Sequence, residues 1–250
     1  MNVILIVETF VTFILAITIH EATHAAVASA LGDHTPVAEG RLALAPRRQM
    51  ATVGTIVGLV TSFSFGGLGW GRPVRYDSTR MRVGPNLGIF LVALSAPLVN
   101  LIIGVGVALL LTVFPGYTTL GARTDICSGQ LGVHLQSCLG SAQPAYLLRI
   151  EQFLFIFAVT NILLALINLI PLHPLDGYKM LFAILPDQPA VSYRRYEGYM
   201  EFGLLVLFFA LPYVLRYLGI LFSPSAYFIS WANEIAGHLA GNVLRVYGFL

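Results

Sequence analysis

The chain is poor in charge. Of its 250 residues, 14 are Lys or Arg and 12 are Asp or Glu, so only 10% are charged. Soluble domains carry about 25% charged and about 45–50% apolar residues. Here the apolar share is 57% and the mean hydropathy is +0.80. Charge this sparse does not solvate a globule of this size. An ordinary soluble domain is excluded, and a polytopic membrane protein is implied. The formal charge of +2 is too small to point to nucleic acid, which calls for a concentrated basic face. Cysteine is scarce too: Cys127 and Cys138 allow at most one bridge. The chain has no internal repeat, low-complexity tract or separate soluble domain. Its start, "MNVILIVETFVTFILAIT", lacks the positive leader and small-residue cleavage site of a signal peptide. It reads as the first half of a retained helix.

What the chain has in quantity is long apolar runs, and about 20 such residues suffice to span a bilayer. The composition predicts an all-α membrane fold with about five to six hydrophobic helical segments. The first is 3–31, ended by Gly32, Asp33 and Pro36. Residues 51–70 are uncharged but hold Gly54, Gly58, Gly66, Gly67 and Gly69. The runs at 87–114, 146–170 and 199–222 follow. The last, 226–250, is diluted by Asn233, Glu234, His238, Asn242 and Arg245. Between the first two runs, the alternation of "GRLALAP" with proline on both sides predicts a short strand or β-hairpin.

Inside the first run stands "TIHEATHAAV", where His20, Glu21 and His24 interrupt apolar sequence. Residues four apart share one face of a helix, so two imidazoles can reach one tetrahedral zinc. Glu21 then stands where a general base would accept a proton from a zinc-activated water. His-Glu-x-x-His on a helix is the pattern of zinc-dependent peptide hydrolysis. The competing interpretation is structural hydrogen bonding between helices. Three ionisable groups in five residues weigh against it, because such groups inside spans mark function.

A catalytic zinc takes three protein ligands and keeps one open position. Asp176, in "NLIPLHPLDGYKM", is the acidic residue that stands out in apolar surroundings. Pro171 and Pro174 preclude regular helix there. Irregular backbone at membrane depth is tolerated where it is buried in protein or lines a watery cavity. The alternative is an ordinary helix-terminating turn with Asp176 as an exposed cap.

"HEATH", "GRLALAP", "GWGRPV", "LSAPLVN" and "NLIPLHPLDG" occur in the order and character of site-2 proteases, and over about residues 14–181 the chain resembles that family. These are intramembrane zinc metalloproteases that cut transmembrane substrates, and the similarity is to the bacterial branch without a PDZ or CBS domain. The resemblance implies one Zn2+ per chain, held by His20, His24 and Asp176, with Glu21 as catalytic base. It implies a substrate- or oxyanion-holding role for Asn168, and an open helix end at Pro171 and Pro174. It also implies one protease domain over 1–250, with a catalytic core at about 3–181 and C-terminal helices at about 199–250. Three features depart from the family: "RRQMATVG" lacks Asp-Pro before its glycine, Ala96 stands where glycine is usual, and His173 replaces an apolar residue. His173 is read as lining the site beside Asp176. Orienting that carboxylate, binding metal transiently or shuttling a proton are the alternatives.

Both motifs must meet at one depth, so residues 51–70 are expected to be re-entrant or interfacial; a full crossing would put Asp176 on the opposite side. The arginines agree. Arg41, Arg47, Arg48, Arg72, Arg75, Arg80 and Arg82, with Lys179, Arg194 and Arg195, fall on the active-site side. The loop 115–144 opposite holds only Arg123. Lys/Arg-rich loops are cytoplasmic, so the site is expected to face the cytoplasm of a bacterial membrane, with the N-terminus outside. Cys127 and Cys138 then lie outside, where a bridge and free thiols are equally open readings. The expected partners are a transmembrane protein substrate and the lipid bilayer, and oligomeric state is silent. Against proteolysis stand a non-hydrolytic metal binder or transporter and a hydrolase of lipid or prenylated protein. The absence of repeated halves weighs against transport, and the Pro-Leu-Asp-Gly motif weighs against the second hydrolase.

Overall fold

The computed structural model describes residues 3–62, 67–111, 145–186, 194–219 and 223–239. Helix α1, Val3–Leu31, has 29 residues and α5, Pro85–Leu111, has 27; both are long and apolar enough to cross a membrane. Among the described residues, three short α-helices lie between them, α2, Thr35–Ala38, α3, Pro46–Gln49, and α4, Thr52–Thr61, followed by a 3-10 turn at Ser78–Arg80. Then come α6, Ala145–Asn168, and α7, Asp176–Ile184. Helix α8, Glu197–Leu205, continues through a π turn, Val206–Ala210, into α9, Leu211–Tyr217; α10 is Pro224–Leu239.

The burial pattern is that of a protein solvated by lipid. Fully buried side chains include Thr12, Asn100 and Asn161, while Val3, Ile56, Ile102 and Leu110 are among the large apolar residues left exposed. Polar groups turn inward because lipid offers them no partner. Helices α1 and α6 run parallel, as a ladder of contacts shows. Gln152 Nε2 donates to Glu8 Oε2 at 2.8 Å, and the Thr12 and Thr160 hydroxyls lie 3.3 Å apart. Helix α5 runs against both. Its start is tied to the end of α1 by Arg82 N–H donating to the Leu31 carbonyl at 2.9 Å. Deeper in, Gly104 lets α5 close on α6, where an added Cβ would meet Ile162 Cγ1 at 2.6 Å and the Ala158 carbonyl at 2.8 Å. Small residues at such crossings are how helices approach closely in lipid.

Asp33 fastens the turn after α1. Its Oδ1 accepts from Thr35 N–H at 3.1 Å and Thr35 Oγ1 at 2.7 Å, and its Oδ2 accepts from Asp77 N–H at 2.7 Å. Desolvation pushes this carboxyl up, but the Thr35 and Asp77 donors prevail and hold it below the ordinary carboxylate range. A depressed carboxyl contributes stability above its unfolded pKa and loses it as pH falls through the folded value. Asp33→Ala is therefore expected to destabilise the detergent-solubilised protein by about 1–3 kcal/mol at neutral pH. The gap in melting temperature should narrow as pH drops below about 4.

Two expectations meet the structure differently. The excursion 51–70 begins and ends at one point: Met50 and Gly71 form an antiparallel bridge, and Arg72 N–H donates to the Gln49 carbonyl at 2.6 Å. With only 10 residues, or about 15 Å, α4 is by itself too short for a bilayer core of about 30 Å; residues 63–66 of this stretch lie outside the described ones. The hairpin at "GRLALAP" is a correction. Among the described residues there is no sheet, and residues 39–43 form turns and a bend. Pro36 and Pro46 each start a short helix, which suits proline's fixed φ and missing donor. Gly40, at φ 66, turns the chain between them, and Arg41 is buried instead of alternating outward. The run expected at 226–250 is helical over Pro224–Leu239. The loop with Arg123, Cys127 and Cys138, together with Gly66, Asn242 and Arg245, lies outside the described residues.

Candidate metal centre and active site

Three side chains of the site come from one face of α1. His20, Glu21 and His24 are 3%, 7% and 4% exposed: the opening run hides its polar groups and shows lipid its apolar ones. The two imidazoles meet edge to face, with centroids 4.9 Å apart. His24 Nδ1–H donates to the Val92 carbonyl of α5 at 2.8 Å. That bond fixes the tautomer and leaves Nε2 with its lone pair, the arrangement a metal-binding histidine uses.

The fourth group arrives from 152 residues further along the chain. After α6 the backbone is irregular through "LIPLHPL", including a cis His173–Pro174 peptide, and α7 then starts at Asp176. Gly177 makes the junction possible, since a Cβ there would lie 2.5 Å from the carbonyls of both Leu169 and Ile170. The Asp176 carboxylate is buried, and its Oδ2 lies 2.9 Å from His20 Nε2 and 3.0 Å from His24 Nε2. Oδ1 accepts from Lys179 Nζ at 2.8 Å. A buried carboxylate needs such compensation.

Donor atoms of His20, His24 and Asp176 lie within 4.8 Å of one another. Two nitrogens, one carboxylate oxygen and an adjacent cavity make the donor set of a hydrolytic zinc, with three ligands and one open position. The residues present therefore fit such an ion. The cavity, of about 120 Å3, is lined by His20, Glu21, Asn168, Asp176 and Lys179, with apolar walls that include Trp70 and Phe208. Glu21 stands beside it with Oε2 lacking a hydrogen-bond partner among the described residues. Against its other side packs Gly71, where a Cβ would fall 2.4 Å from Oε1.

A sequence profile for Peptidase family M50 matches residues 8–210, from the first turns of α1 to the end of the π turn. The chain belongs to peptidase family M50. It is also 32% identical over 198 residues, 79% of this chain and 78% of the relative, to the "Putative zinc metalloprotease YwhC" of Bacillus subtilis (strain 168). No solved structure matches it.

The remaining expected residues of this M50 peptidase divide. Asn168 lines the cavity, but its Nδ2 donates to Leu164 O of its own helix at 2.9 Å. Pro174 lines the cavity as well, and Pro171 is exposed. His173 stands apart from the three-residue donor group; its ring meets that of Tyr178, with centroids 5.3 Å apart. The roles of two groups escaped the sequence reading, which counted both as charges marking a side of the membrane and put Arg41 in the expected hairpin. Lys179 grips Asp176 directly, and its spacing of three residues on a helix was the available signal. Arg41 lies 3.7 Å from Glu21. No local pattern announced that contact.

Proposed function

We propose that this M50 peptidase is a zinc-dependent endopeptidase that hydrolyses a peptide bond in or near a transmembrane segment of a membrane-protein substrate, as in regulated intramembrane proteolysis. The observation that carries this reading is the meeting of both histidine Nε2 atoms at a single Asp176 oxygen, at 2.9 and 3.0 Å. His20, His24 and Asp176 are the proposed zinc ligands. A bound zinc supplies Lewis acidity and lowers the pKa of a water to about 7.

Glu21 is the proposed base. With no hydrogen bond to its Oε2 among the described residues, the carboxylate has a lone pair free to take a proton from water and return it to the leaving amine. Val92 and Lys179 orient the ligands: one fixes the His24 tautomer, and the other occupies one oxygen of Asp176 so that the second faces the histidines. Asn168, on the cavity wall, is the proposed holder of the substrate backbone or the developing oxyanion. The apolar walls suit a stretch of lipid-soluble chain. Helical carbonyls are engaged in backbone hydrogen bonds, so a substrate helix must unwind locally before attack.

The exposed arginines at 47, 48, 72, 75, 80 and 82 all lie between α1 and α5. By the positive-inside rule this end of the molecule faces the cytoplasm. The test is metal removal. Purified in detergent, the protein should hold one zinc per chain, stop cleaving a single-span test substrate when chelated, and recover when zinc is returned. Cleavage by metal-free protein would overturn the reading.

A further inference from the structure

Arg41 follows the turn after α2 and is only 4% exposed. A guanidinium so deep is unfavourable unless its charge and donors are engaged. Its Nη1 donates to the Arg48 carbonyl and its Nη2 to the Arg72 carbonyl. The same Nη2 lies 3.7 Å from Glu21 Oε2. One side chain therefore joins three pieces of chain: the loop at 41–49, the returning segment at 71–72, and helix α1. Gln49, fully buried, supports the same loop independently. Its Nε2 donates to the carbonyls of Arg41 at 2.6 Å and Ala43 at 3.0 Å.

Glu21 depends on such a neighbour. Among the described residues no hydrogen bond to Oε2 fixes its rotamer, and its other flank rests on Gly71. Arg41 acts on both flanks, attracting Oε2 by charge and pinning the backbone just beyond Gly71. At 3.7 Å the attraction lies beyond hydrogen-bond reach, so it orients the carboxylate without occupying the lone pair.

We propose that Arg41 is a positioning residue that holds the Glu21 carboxylate against the Gly71–Arg72 backbone at the edge of the cavity. This rests on Glu21 being the base. A lysine cannot reproduce the contact, because a single ammonium does not offer the guanidinium's rigid fork to two carbonyls and a carboxylate at once.

The experiment compares Arg41→Met, Arg41→Lys and Gln49→Ala, with Glu21→Gln as reference. The readouts are kcat, KM, zinc content and melting temperature in detergent. Arg41→Met should lower kcat on the order of 10²-fold, the cost of a misplaced catalytic group. KM should stay within about twofold, because substrate binding is untouched, and zinc content should hold. Arg41→Lys should recover only part of the loss. Gln49→Ala, which loosens the same loop without touching Glu21, should lower the melting temperature and keep kcat within about threefold.

Wild-type kcat in Arg41→Met overturns the proposal. So does full activity in Arg41→Lys, which would mean that charge alone suffices. Equal kcat losses in Gln49→Ala and Arg41→Met would assign the effect to loop integrity and overturn it as well. If Arg41→Met does not fold, Arg41→Lys and Gln49→Ala still decide. A fully active Glu21→Gln defeats the base assignment and Arg41 with it; an inactive Glu21→Gln beside an unimpaired Arg41→Met defeats Arg41 alone.

Discussion

Glu21→Gln is expected to lower cleavage by about 10²–10⁴-fold, the usual contribution of a general base, while zinc content stays at one per chain. The substitution keeps shape and polarity but cannot take a proton at neutral pH. His20 and His24 flank it on the same helix and would keep their positions: His24 is tied to the Val92 carbonyl of α5, and both face Asp176. The amide would still fit against Gly71. Its neighbour Arg41 would lose an ionic partner at 3.7 Å but keep both carbonyl acceptors, so the fold should survive. Metal analysis and cleavage of a single-span substrate, run on one preparation, separate loss of the base from loss of the ion. Near-normal cleavage by the variant would remove Glu21 from the mechanism.

How much of this was legible in the sequence depends on the range of the interaction. His20, Glu21 and His24 lie within five residues of one helix, so helical periodicity alone puts both imidazoles on one side. The convergence of Asp176 spans 152 residues or more, and no local pattern encodes it. It was approachable through the family resemblance. The requirement that both motifs lie at one depth led to the expectation of a re-entrant or interfacial 51–70, a stretch whose flanking residues meet at the Met50–Gly71 bridge.

The hairpin expectation failed for a local reason. The alternation from Arg41 to Ala45 matches a strand's period of two, but prolines that favour short helices flank it. Its first residue turns inward to bind carbonyls rather than outward to solvent. A charge count treats Arg41 as surface, and only tertiary structure reveals it as 4% exposed. Lys179 was obscured in the same way, since a cation in a connector and a cation gripping a buried carboxylate are the same letter.

Asp176→Ala is expected to be the most damaging single change, because the carboxylate serves two sets of partners. Oδ2 lies between the imidazoles and Oδ1 holds Lys179 at 2.8 Å. Removing the carboxylate takes away a proposed ligand, so zinc affinity should fall by more than the about 10–100-fold typical of losing a partner that merely orients a ligand. It also takes away the carboxylate bonded to the Lys179 ammonium. A fully buried pair broken on one side costs about 3–5 kcal/mol. Here the loss should be smaller, about 1–3 kcal/mol, because the Lys179 side chain is 34% exposed and can swing out of the site. Adding Lys179→Met to Asp176→Ala should therefore recover much of the stability and none of the zinc. Lys179→Met alone should keep zinc but bind it about 10–100-fold more weakly, because Oδ1 is then free to rotate towards the histidines. Chelator competition and thermal melts on the three variants resolve the two roles. Full zinc retention by Asp176→Ala, with wild-type resistance to chelator, would mean that the meeting of this carboxylate with His20 and His24 is an ordinary buried ion pair and that the metal, if any, is held elsewhere.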